Sequence, residues 1–145
     1  MTARLQHKIA FITGGGSGIG AATARRLAAE GATVVICGRR RAPLDAVAGE
    51  IRAAGGDAEA VVVDVSDEAA YTAALEDCCQ RHGHLDILVN NAMAYTWGAI
   101  ETMSNADWTA NFATSVDGTF WGTRAAMKLM KESGGAIINV ASICG

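Results

Sequence analysis

The sequence predicts an α/β fold, a doubly wound parallel sheet with strand order 3-2-1-4-5 and helices on both faces. Three observations carry the prediction. Five short apolar runs alternate with helical patterns along the chain. Most of these runs are apolar at every position, which suits strands buried on both faces. The first run leads at once into a glycine turn that opens a helix, the layout that presents backbone N–H groups to a phosphate. Right-handed crossovers then favour the doubly wound order and put a ligand at the carboxyl ends of strands 1 and 4.

Residues 9–12 form the first apolar run, and five glycines follow within seven residues: Gly14, Gly15, Gly16, Gly18 and Gly20. The spacing Gly14-x-x-x-Gly18-x-Gly20 is not G-x-G-x-x-G, and no Lys-Ser/Thr pair follows to make a P-loop. A helix is expected over 21–30 with Ile19, Ala22, Thr23 and Leu27 on one face and Arg25, Arg26 and Glu30 pointing away. Gly31 is its stop. Strand 2 is read over 33–37, ahead of Gly38, Arg39, Arg40 and Arg41. The next helix sets Leu44, Val47, Ala48 and Ile51 at core spacing and ends at Gly55-Gly56. Strand 3, over 58–63, closes at Asp64-Val65; Ser66 or Asp67 caps a helix whose buried face is Tyr71, Ala74, Leu75 and Cys78. Strand 4, over 85–89, runs into Asn90-Asn91-Ala92. After a loop to Met103, Ser104 or Asn105 begins the longest helical pattern, carried by Trp108, Phe112, Val116, Phe120, Thr123, Met127 and Met130. Gly134-Gly135 precede strand 5, read over 136–140.

The 145 residues, half of them hydrophobic and 19% charged, read as one domain, 1–145, with a real core. A net charge of −3 gives no pull towards nucleic acid or anionic membrane. The N-terminus lacks the apolar core of a signal peptide, and the uncharged run 9–24 is too short and glycine-rich to span a bilayer. The cytoplasm is the expected location. Cys37, Cys78, Cys79 and Cys144 form no C-x-x-C pair, and His7, His82 and His84 complete no metal pattern, so free thiols and no metal are expected.

The glycine spacing, Asp64-Val65, Asn90-Asn91-Ala92 and the ending Asn139-Val-Ala-Ser-Ile-Cys-Gly145 together resemble the short-chain dehydrogenase/reductase family, over the whole chain and in the family's order. The resemblance implies a Rossmann-like domain and hydride transfer between a nicotinamide cofactor and a small-molecule alcohol or ketone. It implies that Gly14, Gly16, Ser17, Gly18, Ile19 and Gly20 cradle the cofactor's phosphates and adjoining ribose. Asp64 would accept from the adenine amino group with Val65 beside it, unless it is only a turn or capping acid. Asn91 and Ala92 would line the adenosine ribose and the way to the nicotinamide. At the end of strand 2, where an NAD site places an acid, stands Gly38 followed by arginines. Arg39 would grip a 2′-phosphate, so NADP(H) is expected over NAD(H), unless Arg39 to Arg41 is only a solvated basic face. Ser142 aligns with the catalytic Ser that hydrogen-bonds the substrate oxygen, the other reading being a polar residue at a strand end.

Three departures from the family pattern stand out. Met93 replaces the glycine of Asn-Asn-Ala-Gly. The catalytic Asn of the long helix falls on Ser115, with Asn111 one turn away. The family's Tyr-x-x-x-Lys, expected about a dozen residues after the Ser, lies beyond Gly145, and neither Tyr71 nor Tyr95 has a Lys four residues on. The chain is therefore expected to be an incomplete domain, cut after strand 5 and inactive alone. A non-catalytic nucleotide-binding or interaction protein is the alternative. The strand edge and the aromatic and Met stripe left without partners imply aggregation, dimerisation through that surface or dependence on another polypeptide, and a homo-oligomer is expected.

Overall fold

Every side chain of the first apolar run, β1 (Ile9–Thr13), is buried, and successive residues go to opposite faces of the sheet. Ala10 and Ile12 join one core cluster, Ile9 and Phe11 the other. The next strand, β2 (Thr33–Gly38), divides the same way, with Val34 and Ile36 on the first side and Val35 and Cys37 on the second. A run that is apolar at every position is what a strand with two covered faces requires. The computed structural model describes residues 3–142. The remaining strands are β3 (Asp57–Val62), β4 (Ile87–Asn90) and β5 (Ala136–Asn139). All pairings are parallel and the order is β3-β2-β1-β4-β5, as predicted.

Two helices, α1 (Gly18–Ala29) and α2 (Arg41–Ala53), cover the first face, where Leu44, Val47, Ala48 and Ile51 are buried as their spacing predicts. The face of α1 differs from expectation. It buries Gly20, Ala21, Ala24 and Ala28, while Ile19 is 62% exposed and Ala22 is exposed too. The helix starts at Gly18, three residues earlier than read, and it lies close enough to the sheet that only small residues fit underneath.

On the second face, α3 (Glu68–His82) is capped by Asp67, whose carboxylate accepts from Ala70 N at 3.0 Å, and it ends on Gly83 in the left-handed conformation. Tyr71, Leu75 and Cys78 are buried, and Ala74 is partly so. The predicted long helix is two helices, α4 (Asn105–Phe112) and α5 (Gly118–Leu129), joined by a π-helical turn at Ala113–Asp117. Ser104 caps α4 through Asp107 N. The side of α5 that meets the core is Gly118, Gly122, Ala125 and Ala126. A Cβ at Gly122 would sit 2.4 Å from the Tyr71 hydroxyl, so α3 and α5 pack through that notch. The large apolar residues of the pattern, Trp108, Phe112, Val116, Phe120 and Met127, are exposed. No helix of the described residues is long and apolar enough to cross a membrane.

Candidate functional site

The glycine turn sits where β1, β4 and α1 converge. Gly14 has φ +66°, and a Cβ there would lie 2.8 Å from Asn91 Nδ2. At Gly20, in the first turn of α1, a Cβ would lie 2.2 Å from the Gly14 carbonyl oxygen. The start of the helix is thus pressed against the turn that precedes it, a contact only a bare backbone permits. Ser17 occupies the cap position of α1 without a side-chain capping bond, and the first turn of the helix holds no acid. Nor does α2, with Arg40 at its cap position, carry a side-chain cap. By contrast α3 and α4 are both capped. The unsatisfied N–H groups and positive dipole ends of α1 and α2 are therefore offered to an anion.

One cleft runs along the carboxyl ends of four strands. After β1 it is lined by Gly14, Gly16 and Ser17, and after β2 by Gly38, Arg39, Arg40, Pro43 and Leu44. After β3 come Val63, Asp64 and Val65, and after β4 Ala92 and Met93, and Thr114 of the π turn completes the lining. Seven of the twelve residues singled out from the sequence line it: Gly14, Gly16, Ser17, Arg39, Asp64, Val65 and Ala92. Gly18, Ile19, Gly20 and Asn91 stand behind or beside the lining. Ser142 is exposed beyond β5, and the rest of the ending motif, residues 143–145, lies outside the described residues.

The Asp64 carboxylate accepts from Ser66 N at 2.9 Å and from Ser66 Oγ at 2.7 Å through the same oxygen. It is a turn acid while still facing the cleft. Arg41 turns away, donating to Ala60 O at 3.1 Å and lying 3.7 Å from Asp45. Arg39 and Arg40 make no side-chain ion pair among the described residues, and both reach the cleft.

Beneath the cleft, Thr13 was not singled out from the sequence. Its buried hydroxyl accepts from Asn91 N and Ala92 N, both at 2.9 Å, and donates to Val89 O at 3.3 Å. Asn91 Nδ2 donates back to Thr13 O at 3.0 Å. These bonds tie the end of β4 to the glycine turn. The one available signal was a lone hydroxyl closing an apolar strand. Next to it, Asn90 Oδ1 accepts from the Tyr71 hydroxyl at 2.9 Å, and Asn90 Nδ2 donates to Asn139 Oδ1 at 2.9 Å and Thr123 Oγ1 at 3.2 Å. Burial pushes the Tyr71 phenol well above its ordinary value, so it is a structural donor and no acid–base group. Burial likewise pushes the Cys37 thiol up to about 12, which leaves it inert as a nucleophile.

The comparisons with known proteins agree with this geometry. A family model described as short chain dehydrogenase matches residues 8–145. The 2,5-dichloro-2,5-cyclohexadiene-1,4-diol dehydrogenase of Sphingobium indicum is 41% identical over 100% of this chain and 58% of its own length. The 3beta-hydroxysteroid dehydrogenase of Mediterraneibacter gnavus is 39% identical over 98% of this chain and 52% of its own. The chain thus spans little more than half the length of these relatives. Among solved structures, a metagenomic short-chain oxidoreductase in complex with NADP superposes with a TM-score of 0.92 at 39% identity, covering 96% of this chain and 64% of that one. A short chain dehydrogenase of Burkholderia cenocepacia, also in complex with NADP, gives 0.91 at 38% identity over 97% and 57% of the two chains.

Proposed function

Because the chain belongs to the short-chain dehydrogenase/reductase family, we propose that its cleft binds NADP(H), in preference to NAD(H), in an oxidoreductase acting on a small-molecule alcohol or ketone. The observation that carries this reading is the cleft itself. Two uncapped helix starts and two arginines without ion pairs among the described residues converge on it from the ends of adjacent parallel strands. The glycine turn fits a pyrophosphate, because the Gly14–Gly20 contact keeps side chains out of the way. Arg39, with Arg40 beside it, would hold the 2′-phosphate by charge-assisted bonds. Asp64 would accept from the adenine amino group, and Ala92 would line the path to the nicotinamide. When bound, the nicotinamide supplies or accepts the hydride. Ser142 would hold the substrate oxygen by a hydrogen bond. Calorimetric titration with NADPH and NADH tests the reading. NADPH is expected to bind at least about tenfold tighter, a difference of roughly 1.4 kcal/mol. Binding of neither overturns it.

The same reading includes a homo-oligomer in the cytoplasm with no nucleic-acid or membrane partner. In support, Trp108, Phe112, Val116, Phe120 and Met127 form an exposed stripe along α4 and α5, with the Trp108 and Phe112 rings 4.6 Å apart. A continuous apolar face of this kind suits a second copy of itself. Sedimentation at micromolar concentration is expected to show a dimer or larger species, and a stable monomer would count against it.

A further inference from the structure

The loop that leaves β4 carries Met93, Tyr95, Trp97 and Ile100, whose exposures run from 52% to 81%. Burial therefore does not hold it in place. The rings of Tyr95 and Trp97 touch each other, with centroids 4.8 Å apart. Polar bonds to one helical turn do fix it. Ser115 Oγ donates to Ala94 O at 3.1 Å and accepts from Ala94 N at 3.3 Å. Asn111 Oδ1 accepts from Thr96 N at 3.0 Å. The two side chains are four residues apart, one in α4 and one in the π turn, and so share a face. Thr114, next to Ser115, lines the same cleft as Met93. One irregular turn thus supplies both a wall of the cleft and the clamp on the loop facing it.

We propose that Ser115 and Asn111 are positioning residues that clamp residues 94–96, hold Met93 against the β4 end of the cleft, and set how the nicotinamide half of the dinucleotide seats. This rests on the dinucleotide reading above. With the 2′-phosphate at Arg39, beyond β2, strand order directs the other half of the ligand across β1 to the end of β4, where Ala92 and Met93 stand. The Ser115 hydroxyl has a single proton, and it goes to the Ala94 carbonyl. In this chain the group is engaged in the clamp. Because the clamp grips backbone atoms, it works whatever side chain stands at 94 or 96.

The test uses the full chain with two ligands, NADPH and adenosine 2′,5′-bisphosphate, which lacks the nicotinamide half. Ser115→Ala and Asn111→Ala are each expected to weaken NADPH about fivefold, the worth of one ordinary hydrogen bond, and to leave the bisphosphate unchanged. Amide exchange should speed up at Ala94 in the first variant and at Thr96 in the second, with β1 amides as the control for folding. Ser115→Thr and Asn111→Asp keep the acceptor oxygens and should restore both readouts. Unchanged NADPH affinity in both alanine variants, or equal losses for the two ligands, overturns the clamp. Failure of the unsubstituted chain to bind either ligand overturns the dinucleotide reading instead.

Discussion

Gly20→Ala is expected to abolish dinucleotide binding and to lower stability by about 3 kcal/mol, at the upper end of overpacking costs. The added Cβ would stand 2.2 Å from the Gly14 carbonyl oxygen and 2.6 Å from Asn91 Nδ2. Neither neighbour can yield cheaply, since the first is backbone and the second is tied to Thr13 O. Relief requires α1 to lift from the glycine turn, which carries the first N–H groups of the helix away from the cleft. In a domain of this size the loss amounts to roughly 10 °C in thermal midpoint. Gly49→Ala is the control. Nothing lies within 4 Å of a Cβ there, and in the interior of α2 the change should be neutral or stabilising by up to about 1 kcal/mol. Thermal unfolding and NADPH titration of the two variants check the pair; a Gly20→Ala protein that melts and binds like the parent would refute the close-contact argument.

Arg39→Glu is expected to invert the cofactor preference. Removing a charge-assisted bond to phosphate costs about 1.5–3 kcal/mol, and a carboxylate in its place adds repulsion. NADPH should therefore weaken by about a hundredfold or more. NADH should be held as well or better, because an acid at this position can accept from the ribose hydroxyls. Arg39→Ala should do less, about tenfold on NADPH, since Arg40 also faces the cleft. Parallel titrations with both cofactors read the ratio directly. An unchanged ratio in Arg39→Glu would return Arg39 to the solvated basic face.

Much of this was legible in the residues because strands buried on two faces leave a strong mark. The runs around Phe11, Val35 and Leu88 could hardly be anything else, and Leu44, Val47, Ala48 and Ile51 announced the inner face of α2. The inner face of α1 departs from the apolar spacing for a physical reason. Periodicity marks large apolar residues, yet where a helix must come close to the sheet the buried residues are small, and Ile19 is left outside. The π turn at 113–117 leaves no mark in the sequence because one extra residue in a turn barely disturbs the pattern on either side. In the site, Gly14, Arg39, Asp64 and Ala92 were readable as strand-end residues. The work of Thr13, Asn111 and Ser115 was not, since their partners are backbone N–H and carbonyl groups, which every residue carries and no sequence displays.

The division of β1 between two cores makes its length a fixed quantity. Losing one residue between Ile9 and Thr13 would exchange the sides of the residues ahead of the gap. Ile9 would turn into the Ala-lined face under α1, and Ala10 would turn to the face that Ile9 now fills beside α3 and α5. The turn at 54–56, between α2 and β3, is under no such rule, because no strand residue would change sides there. Insertions and deletions should accordingly be tolerated between the elements on the edge opposite the cleft and rejected within the central strand, even where every substituted residue remains apolar.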